Sequence, residues 1–252
     1  MNIEWNADKY SADFSFVHRY GNDVLALIDG GDGQTALDLG CGNGALTLAL
    51  RDRGFLAKGL DASGEMLAIA RKSYPDIEFI EADATNFSLK EPVDVIFSNA
   101  VFHWIDGERQ RDMLRCVHGA LKEGGQFVFE FGGHGNNRLI HEELARIFSE
   151  RGRDYRVPFY FPSIGEYAAL LEGAGFLVQF AILFDRPTEL KGENGLKDWM
   201  NMFLKAPFSA IQSAEERDAI QDEAIARLRD TLFRGGKWYS DYVRLRMKAI
   251  RL

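Results

Sequence analysis

The residues best suited to chemistry stand in one stretch, Asp38-Leu39-Gly40-Cys41-Gly42-Asn43-Gly44. A short apolar run, Thr35 to Leu39, leads into it, and Ala45-Leu46-Thr47-Leu48-Ala49-Leu50 leads out. The first reads as a buried parallel strand and the second as the opening of a helix. Strand, glycine turn and helix start together bring backbone N–H groups against a ligand, and a Cβ in the turn would block that approach. The spacing does not suit a dinucleotide. That pattern sets its third glycine three residues after the second, whereas Gly44 lies two after Gly42. Asp38, just ahead of the turn, would repel a pyrophosphate and favour a cationic ligand. The plain alternative is a turn that binds nothing.

More acids follow at places where an α/β sheet would need them. A helix from Ala45 to Arg53 leads to a second strand, Phe55 to Asp61. Asp61 lies roughly 20 residues beyond the loop, where such folds set a carboxylate on ribose hydroxyls. An ionised carboxylate accepts two charge-assisted hydrogen bonds from a vicinal diol. Asp61 could instead cap the next helix, but Ser63 is the better N-cap. Met66, Ile69 and Ala70 mark that helix's buried face, with Met66 also within reach of a base ring. Ile77 to Ile80 is a third strand, and Asp83 follows its end. A fourth strand, Asp94 to Ala100, runs into a loop at the carboxyl edge of the sheet, near the point where strand order reverses and ligands bind. Asn99 in that loop is a candidate ligand contact. His103 and Trp104 either face a substrate or pack beneath it.

Downstream, a helix over 107–121 precedes a fifth strand, Gln126 to Phe131. Phe131-Gly132-Gly133-His134-Gly135-Asn136 then reads as a flexible turn or as a pocket wall presenting His134. Asn137 to Arg151 is helical. Ser163 with Glu166, and Ser213 with Glu216, have capping-box spacing. Phe176 to Phe184 is a sixth strand. Residues 190–236 read as a mostly helical insertion between the last two strands, placed to overhang the ligand edge. Tyr242 to Ile250 alternates apolar residues with Arg244, Arg246 and Lys248, which predicts a final strand with one wet face. Residues 1–33 read as an N-terminal helical cap, or as a lid with Tyr10 able to supply a hydroxyl to a ligand.

The 252 residues carry a formal net charge of -8 and are 46% hydrophobic. That composition supports one full-length domain with a complete core. The negative balance opposes a nucleic-acid partner, which demands a basic surface. The two cysteines, Cys41 and Cys116, sit in a loop and a helix, which argues against a structural disulfide. The histidines and cysteines show no metal-ligand spacing. No apolar run approaches the roughly 20 residues of a membrane span. The N-terminus shows no leader pattern, so the reading is a cytoplasmic protein.

Asp38-x-Gly40-x-Gly42-x-Gly44, Asp61, Asp83 and Ser98-Asn99-Ala100 together resemble class I S-adenosylmethionine (SAM) dependent methyltransferases of the methyltransferase-11/25 type. Trp5-Asn6-Ala7-Asp8-x-Tyr10, Trp104, Phe161-Pro162-Ser163 and Asp198-Trp199 further resemble trans-aconitate methyltransferase-like proteins. The chain departs from that second pattern at Glu130–Asn136, so the resemblance does not carry an acceptor over. It implies a Rossmann-like, doubly wound α/β sheet of seven strands with the last antiparallel. It also implies SAM as cofactor, held by Tyr10, Asp38, Gly40, Cys41, Gly42, Asp61, Ala62, Met66, Asp83, Ala84 and Asn99. The expected chemistry is in-line methyl transfer to a small-molecule acceptor, such as a carboxylate, near His103, Trp104 and His134. Any base for a hydroxyl or amine acceptor would come from His103, His134 or Tyr10. Two rivals are a non-catalytic SAM-binding protein and a nicotinamide-dependent dehydrogenase, against which the loop spacing speaks.

Overall fold

The computed structural model describes residue 21 and residues 23–252. Tyr10, and the cap or lid expected over 1–33, therefore lie largely outside the described residues. Its last part is described: Val24, Leu25 and Ile28 are buried against Leu46, Leu50, Phe55, Val95 and Phe97.

The first half of the chain alternates strand and helix. β1 (Thr35–Leu39), α1 (Ala45–Asp52), β2 (Leu56–Asp61), α2 (Gly64–Ser73), β3 (Glu78–Glu81), β4 (Val93–Asn99), α3 (Gln110–Ala120) and β5 (Leu121–Gly132) follow in order. β1 is almost wholly buried, as its continuous apolar run requires of a strand covered on both faces. Ser63 caps α2 by accepting from Met66 N–H at 3.3 Å, as its residue type predicts. After α4 (Arg138–Glu150), α5 (Ile164–Gly173) opens with the full reciprocal capping box of Ser163 and Glu166. β6 (Phe176–Asp185) completes the large sheet together with β10 (Val243–Arg251). The strand order is β3-β2-β1-β4-β5-β10-β6, with β10 antiparallel to both neighbours. Strand order reverses between β1 and β4, so the carboxyl ends of these two strands frame the ligand-binding crevice of the fold.

Between β6 and β10 the chain forms β7 (Thr188–Leu190), α6 (Gly195–Phe203), α7 (Lys205–Phe208), α8 (Ala214–Leu232), β8 (Phe233–Arg234) and β9 (Lys237–Ser240). β7, β9 and β8 make a small second sheet that periodicity did not anticipate. The β8–β9 hairpin turns on Gly235 and Gly236, with φ of +56° and +78°, a backbone that favours glycine at both positions. Ser213 does cap α8, but its box is incomplete. Glu216 instead forms a two-pronged ion pair with Arg153 (2.9 and 3.0 Å).

Two large cores result. One lies beneath the sheet, where Phe102, Phe127, Phe129, Phe131, Tyr167 and Met247 interlock. The other joins α4 to the helices after β7 through Leu144, Phe148, Trp199, Met200, Leu228 and Trp238.

β10 corrects the expectation of a wet face. Because it is flanked by β5 and β6, Arg244 and Lys248 are buried. On that face Arg246 and Lys248 are ion-paired. Glu130 on β5 accepts from Arg186 (2.8 Å) and Arg246 (2.7 Å), and Lys248 reaches Asp29. The edge strand is β6, whose Leu177, Phe180 and Ile182 are exposed.

Candidate active site

The glycine turn links β1 to α1 in a conformation that favours glycine. Gly40 has φ +78°, and a Cβ there would lie 2.2 Å from Val101 Cγ2. Gly44 has φ +82°, and its Cβ would lie 2.8 Å from Phe79 Cζ. The amides of Gly40 and Cys41 both donate to Leu60 O, at 2.7 and 3.0 Å, which ties the turn to the end of β2. Asp61 ends that strand. Its Oδ2 accepts from Gly42 N–H and its Oδ1 from Ser63 N–H, both at 2.8 Å. Each carboxylate oxygen keeps a further lone pair for a ligand hydroxyl. Burial raises the Asp61 pKa, while the Ser63 and Gly42 amides oppose that rise.

A crevice of about 370 Å³ opens over this turn, within the usual range of roughly 300–1,000 Å³ for small-molecule sites. Its lining includes Gly40, Gly42, Asp61, Ala62, Met66, Asp83, Ala84, Asn99 and Trp104, so most of the expected cofactor residues converge. Asp83 is held by Thr85 N–H (2.8 Å) and by an ion pair with Arg109 (3.4 Å). Among the described residues the wall carries four carboxylates, of Asp61, Glu65, Asp83 and Asp106, against the single guanidinium of Arg109. That balance attracts cations.

Three expected residues stand elsewhere. Asp38 is 1% exposed and accepts from Thr47 Oγ at 2.7 Å. It braces β1 against α1 behind the turn instead of lining the crevice. Burial pushes its pKa up to about 7, against the Thr47 hydrogen bond and with a further upward push from Asp61. The Cys41 side chain packs with Leu67, Ala70, Ile77 and Phe79, on the far side of the turn. His134 is exposed and lines neither this crevice nor the cavity beside it. β5 continues to Gly132, and the His134 amide then donates to Pro162 O (2.8 Å), which swings the ring outward. The turn delivers Asn136 and Asn137 inward in its place.

A second, smaller cavity of about 40 Å³ adjoins the crevice and shares Ala100 and Trp104 with it. His103, Asn136, Asn137, Tyr242 and Arg244 complete its polar wall, and Phe159, Phe161, Trp199 and Phe203 its apolar one. Trp104 meets Phe159 edge-on at 4.9 Å, and Trp199 lies 5.4 Å from Phe203. Trp199 Nε1 donates to the Tyr242 hydroxyl at 2.7 Å. Ala100, at the boundary, has φ +63°. A non-glycine residue in the left-handed region stores strain of a kind that gathers at functional sites. His103 Nδ1 accepts from Gly132 N–H (3.3 Å), so its proton sits on Nε2. Burial, and then the charge of Arg244, hold its pKa well below the ordinary value. The imidazole is therefore neutral.

Sequence reasoning missed Arg244, Asn136, Phe159, Phe203 and Tyr242 as site residues. The cluster of Phe159, Tyr160 and Phe161 between two prolines was the one available hint. Among the described residues, no group of three His, Cys, Asp or Glu side chains is placed to hold a metal. No helix there is long and apolar enough to cross a membrane.

A seven-stranded sheet of this order, with an acid-lined glycine turn at its switch point, defines the Rossmann-like methyltransferase fold. Residues 36–125 match the family model for a methyltransferase domain. The chain is similar to uncharacterized methyltransferase C70.08c of Schizosaccharomyces pombe, at 31% identity over 257 residues covering 97% of each chain. It is similar to trans-aconitate 2-methyltransferase of Rhizobium etli at 27% identity over 239 residues, covering 91% of each. The crystal structure of the YcgJ protein from Bacillus subtilis shares the fold, with a TM-score of 0.65 at 17% identity, covering 93% of this chain and 98% of that one. The chain belongs to the class I SAM-dependent methyltransferases, and its cofactor is SAM. The lining of the crevice fits that cofactor. It offers acids for a diol, an amino group and a cationic sulfur, and a turn bare of side chains for close approach.

Proposed function

We propose that this enzyme methylates a small carboxylic acid, with SAM in the crevice and the acceptor in the adjoining cavity. One observation carries the reading: an acid-walled crevice and a cavity bearing a buried cation meet at Ala100 and Trp104. Opposite charges on the two sides suit a cationic donor and an anionic acceptor. The similarity to trans-aconitate 2-methyltransferases supports an acid acceptor.

In this reading Asp61 holds the ribose hydroxyls, Asp83 and Ala84 the adenine edge, Met66 its face, and Asn99 the amino-acid end. Gly40 and Gly42 let the backbone approach, and Cys41 contributes only its backbone. When bound, SAM supplies a methyl group already activated by its sulfonium. The protein then has to align the acceptor oxygen and keep water away. Such orientation is worth roughly 7–11 kcal/mol in favourable cases. A carboxylate needs no base, and among the described lining residues of the cavity none is an acid, a lysine or a protonatable imidazole poised as one. Helix α6 walls the acceptor side, and it and the helices that follow belong to the same domain as the sheet. The cytoplasm is the compartment we assign.

The test is calorimetry with SAM and S-adenosylhomocysteine, followed by methylation of a panel of small acids, alcohols and amines. Methyl esters as the products support the reading. Methylated amines or alcohols as the only products would sink it.

A further inference from the structure

Arg244 differs from the other arginines on its face of the sheet. Arg186 and Arg246 share the carboxylate of Glu130. Arg244 is 7% exposed, and among the described residues no carboxylate lies within ion-pair distance of it. Its guanidinium lies over the Tyr242 ring at 4.3 Å and makes one long hydrogen bond, 3.4 Å, to Asn136 Oδ1. That oxygen already accepts from Val243 N–H at 2.9 Å. A buried guanidinium with so weak a set of acceptors is complementary to an anion, and its planar fork matches a carboxylate.

The rest of the cavity sets a limit on that anion. Arg244 is the one cationic side chain in the described lining, and Trp104, Phe159, Phe161, Trp199, Phe203 and Tyr242 supply six aromatic rings. Arg109, the cation of the neighbouring crevice, is committed to Asp83. A second or third carboxylate in the cavity would be desolvated against ring faces that carry negative charge density, which is costly. Neutral His103 offers a donor in Nε2–H and no basic nitrogen, because Nδ1 is occupied by Gly132 N–H.

From these observations, and resting on the methyltransferase reading above, we propose that the acceptor is a monocarboxylate with a flat, unsaturated or aromatic body. Its anion is anchored by Arg244 and His103, and its body packs along the aromatic wall that Trp104 and Phe159 form together. In the transfer, a lone pair of the acceptor carboxylate forms the new O–C bond as the C–S bond of the sulfonium breaks, with its electron pair going to sulfur. The products are a neutral methyl ester and a neutral thioether, and no proton moves. A polycarboxylate is a poor acceptor for this chain despite the relatives' names.

The experiment uses the full chain with SAM. The probes are benzoate, cinnamate and sorbate as monocarboxylates, trans-aconitate and citrate as tricarboxylates, and benzyl alcohol and benzylamine as uncharged and cationic counterparts. Ester formation from at least one monocarboxylate is expected, with a kcat/KM at least tenfold above either tricarboxylate. Arg244→Met should raise the monocarboxylate KM at least tenfold, Arg244→Lys should recover part of that loss, and both should leave the S-adenosylhomocysteine Kd within twofold. Preference for a tricarboxylate, methylation of the alcohol or amine alone, or an unchanged KM in a folded Arg244→Met would overturn the proposal while leaving the cofactor site standing. The wild-type panel decides the matter even where a variant does not fold. Failure of the wild type to bind S-adenosylhomocysteine would instead overturn the cofactor reading, and this proposal with it.

Discussion

Asp38 and Asp61 are 23 positions apart in sequence and flank one turn, yet they do opposite things. Asp61 faces the crevice, and Asp38 is sealed behind it. Asp61→Ala should weaken SAM binding by more than about 1 kcal/mol, since a charge-assisted hydrogen bond is lost, and calorimetry reads this directly. Asp61→Asn should lose less, because its amide oxygen can still accept. Asp38 predicts a pH effect on stability. Its folded pKa of about 7 lies above the ordinary 3.8, so the native state holds this proton more tightly than the unfolded chain. That contribution is complete below about pH 4 and is lost as pH rises through 7. In urea titrations, Asp38→Asn should match the wild type at pH 4 and exceed it at pH 8. The gap at pH 8 should be at most about 4 kcal/mol, three units at roughly 1.4 kcal/mol each. Equal stability at both pH values would contradict the buried assignment. Local pattern revealed both aspartates as special. It did not reveal which would face a ligand, because that depends on how β1 and α1 pack around Thr47.

At the level of elements, the strands and helices of the first half were readable because each has one dominant period and a turn signal at its end. β10 was misread for a physical reason. Alternating arginines and apolar residues look the same on a strand with one solvated face and on an interior strand whose charges are covered by its neighbours. Only the β5-β10-β6 order distinguishes the two cases. The pairing has consequences for stability. Glu130→Ala would remove the near carboxylate of the partly buried Arg186 and Arg246 and leave them only the exposed Asp23 at 3.8 and 4.0 Å, a loss of at most about 3–5 kcal/mol. The lowered urea midpoint should be accompanied by little change in SAM affinity, since Glu130 does not line the crevice. The acceptor cavity was hidden for a related reason. Its walls come from the segments that follow β4 and β5, the start of β10, α6 and the segment around Phe159, which are far apart in sequence and meet only in the folded chain.

Across the whole molecule, the two largest cores divide the work. The sheet core fixes the glycine turn and the acids around it, and the α4 core fixes Trp199 and, through it, Tyr242. Trp199→Ala should cost about 3–5 kcal/mol, as large-to-small changes of buried tryptophan do. It should also raise the acceptor KM well above any change in SAM affinity, because Trp199 lines only the smaller cavity. Denaturation and steady-state kinetics on one preparation separate the two effects. A matching loss of affinity for both ligands would mean that the cores do not act separately.

The left-handed backbone at Ala100 carries a consequence of its own. This residue stands with Trp104 at the boundary of two compartments, and its methyl group is the smaller of the two side chains there. Glycine at position 100 would relax the bend and loosen that boundary. A branched side chain would crowd both and strain the loop further. The permitted vocabulary at position 100 is thus narrow, whereas the ring-bearing wall a few ångströms away admits other aromatic residues where they do not anchor a core, as Trp199 does. A lineage built on this scaffold could change what it esterifies by trading aromatic residues, without ever touching the cradle for the donor.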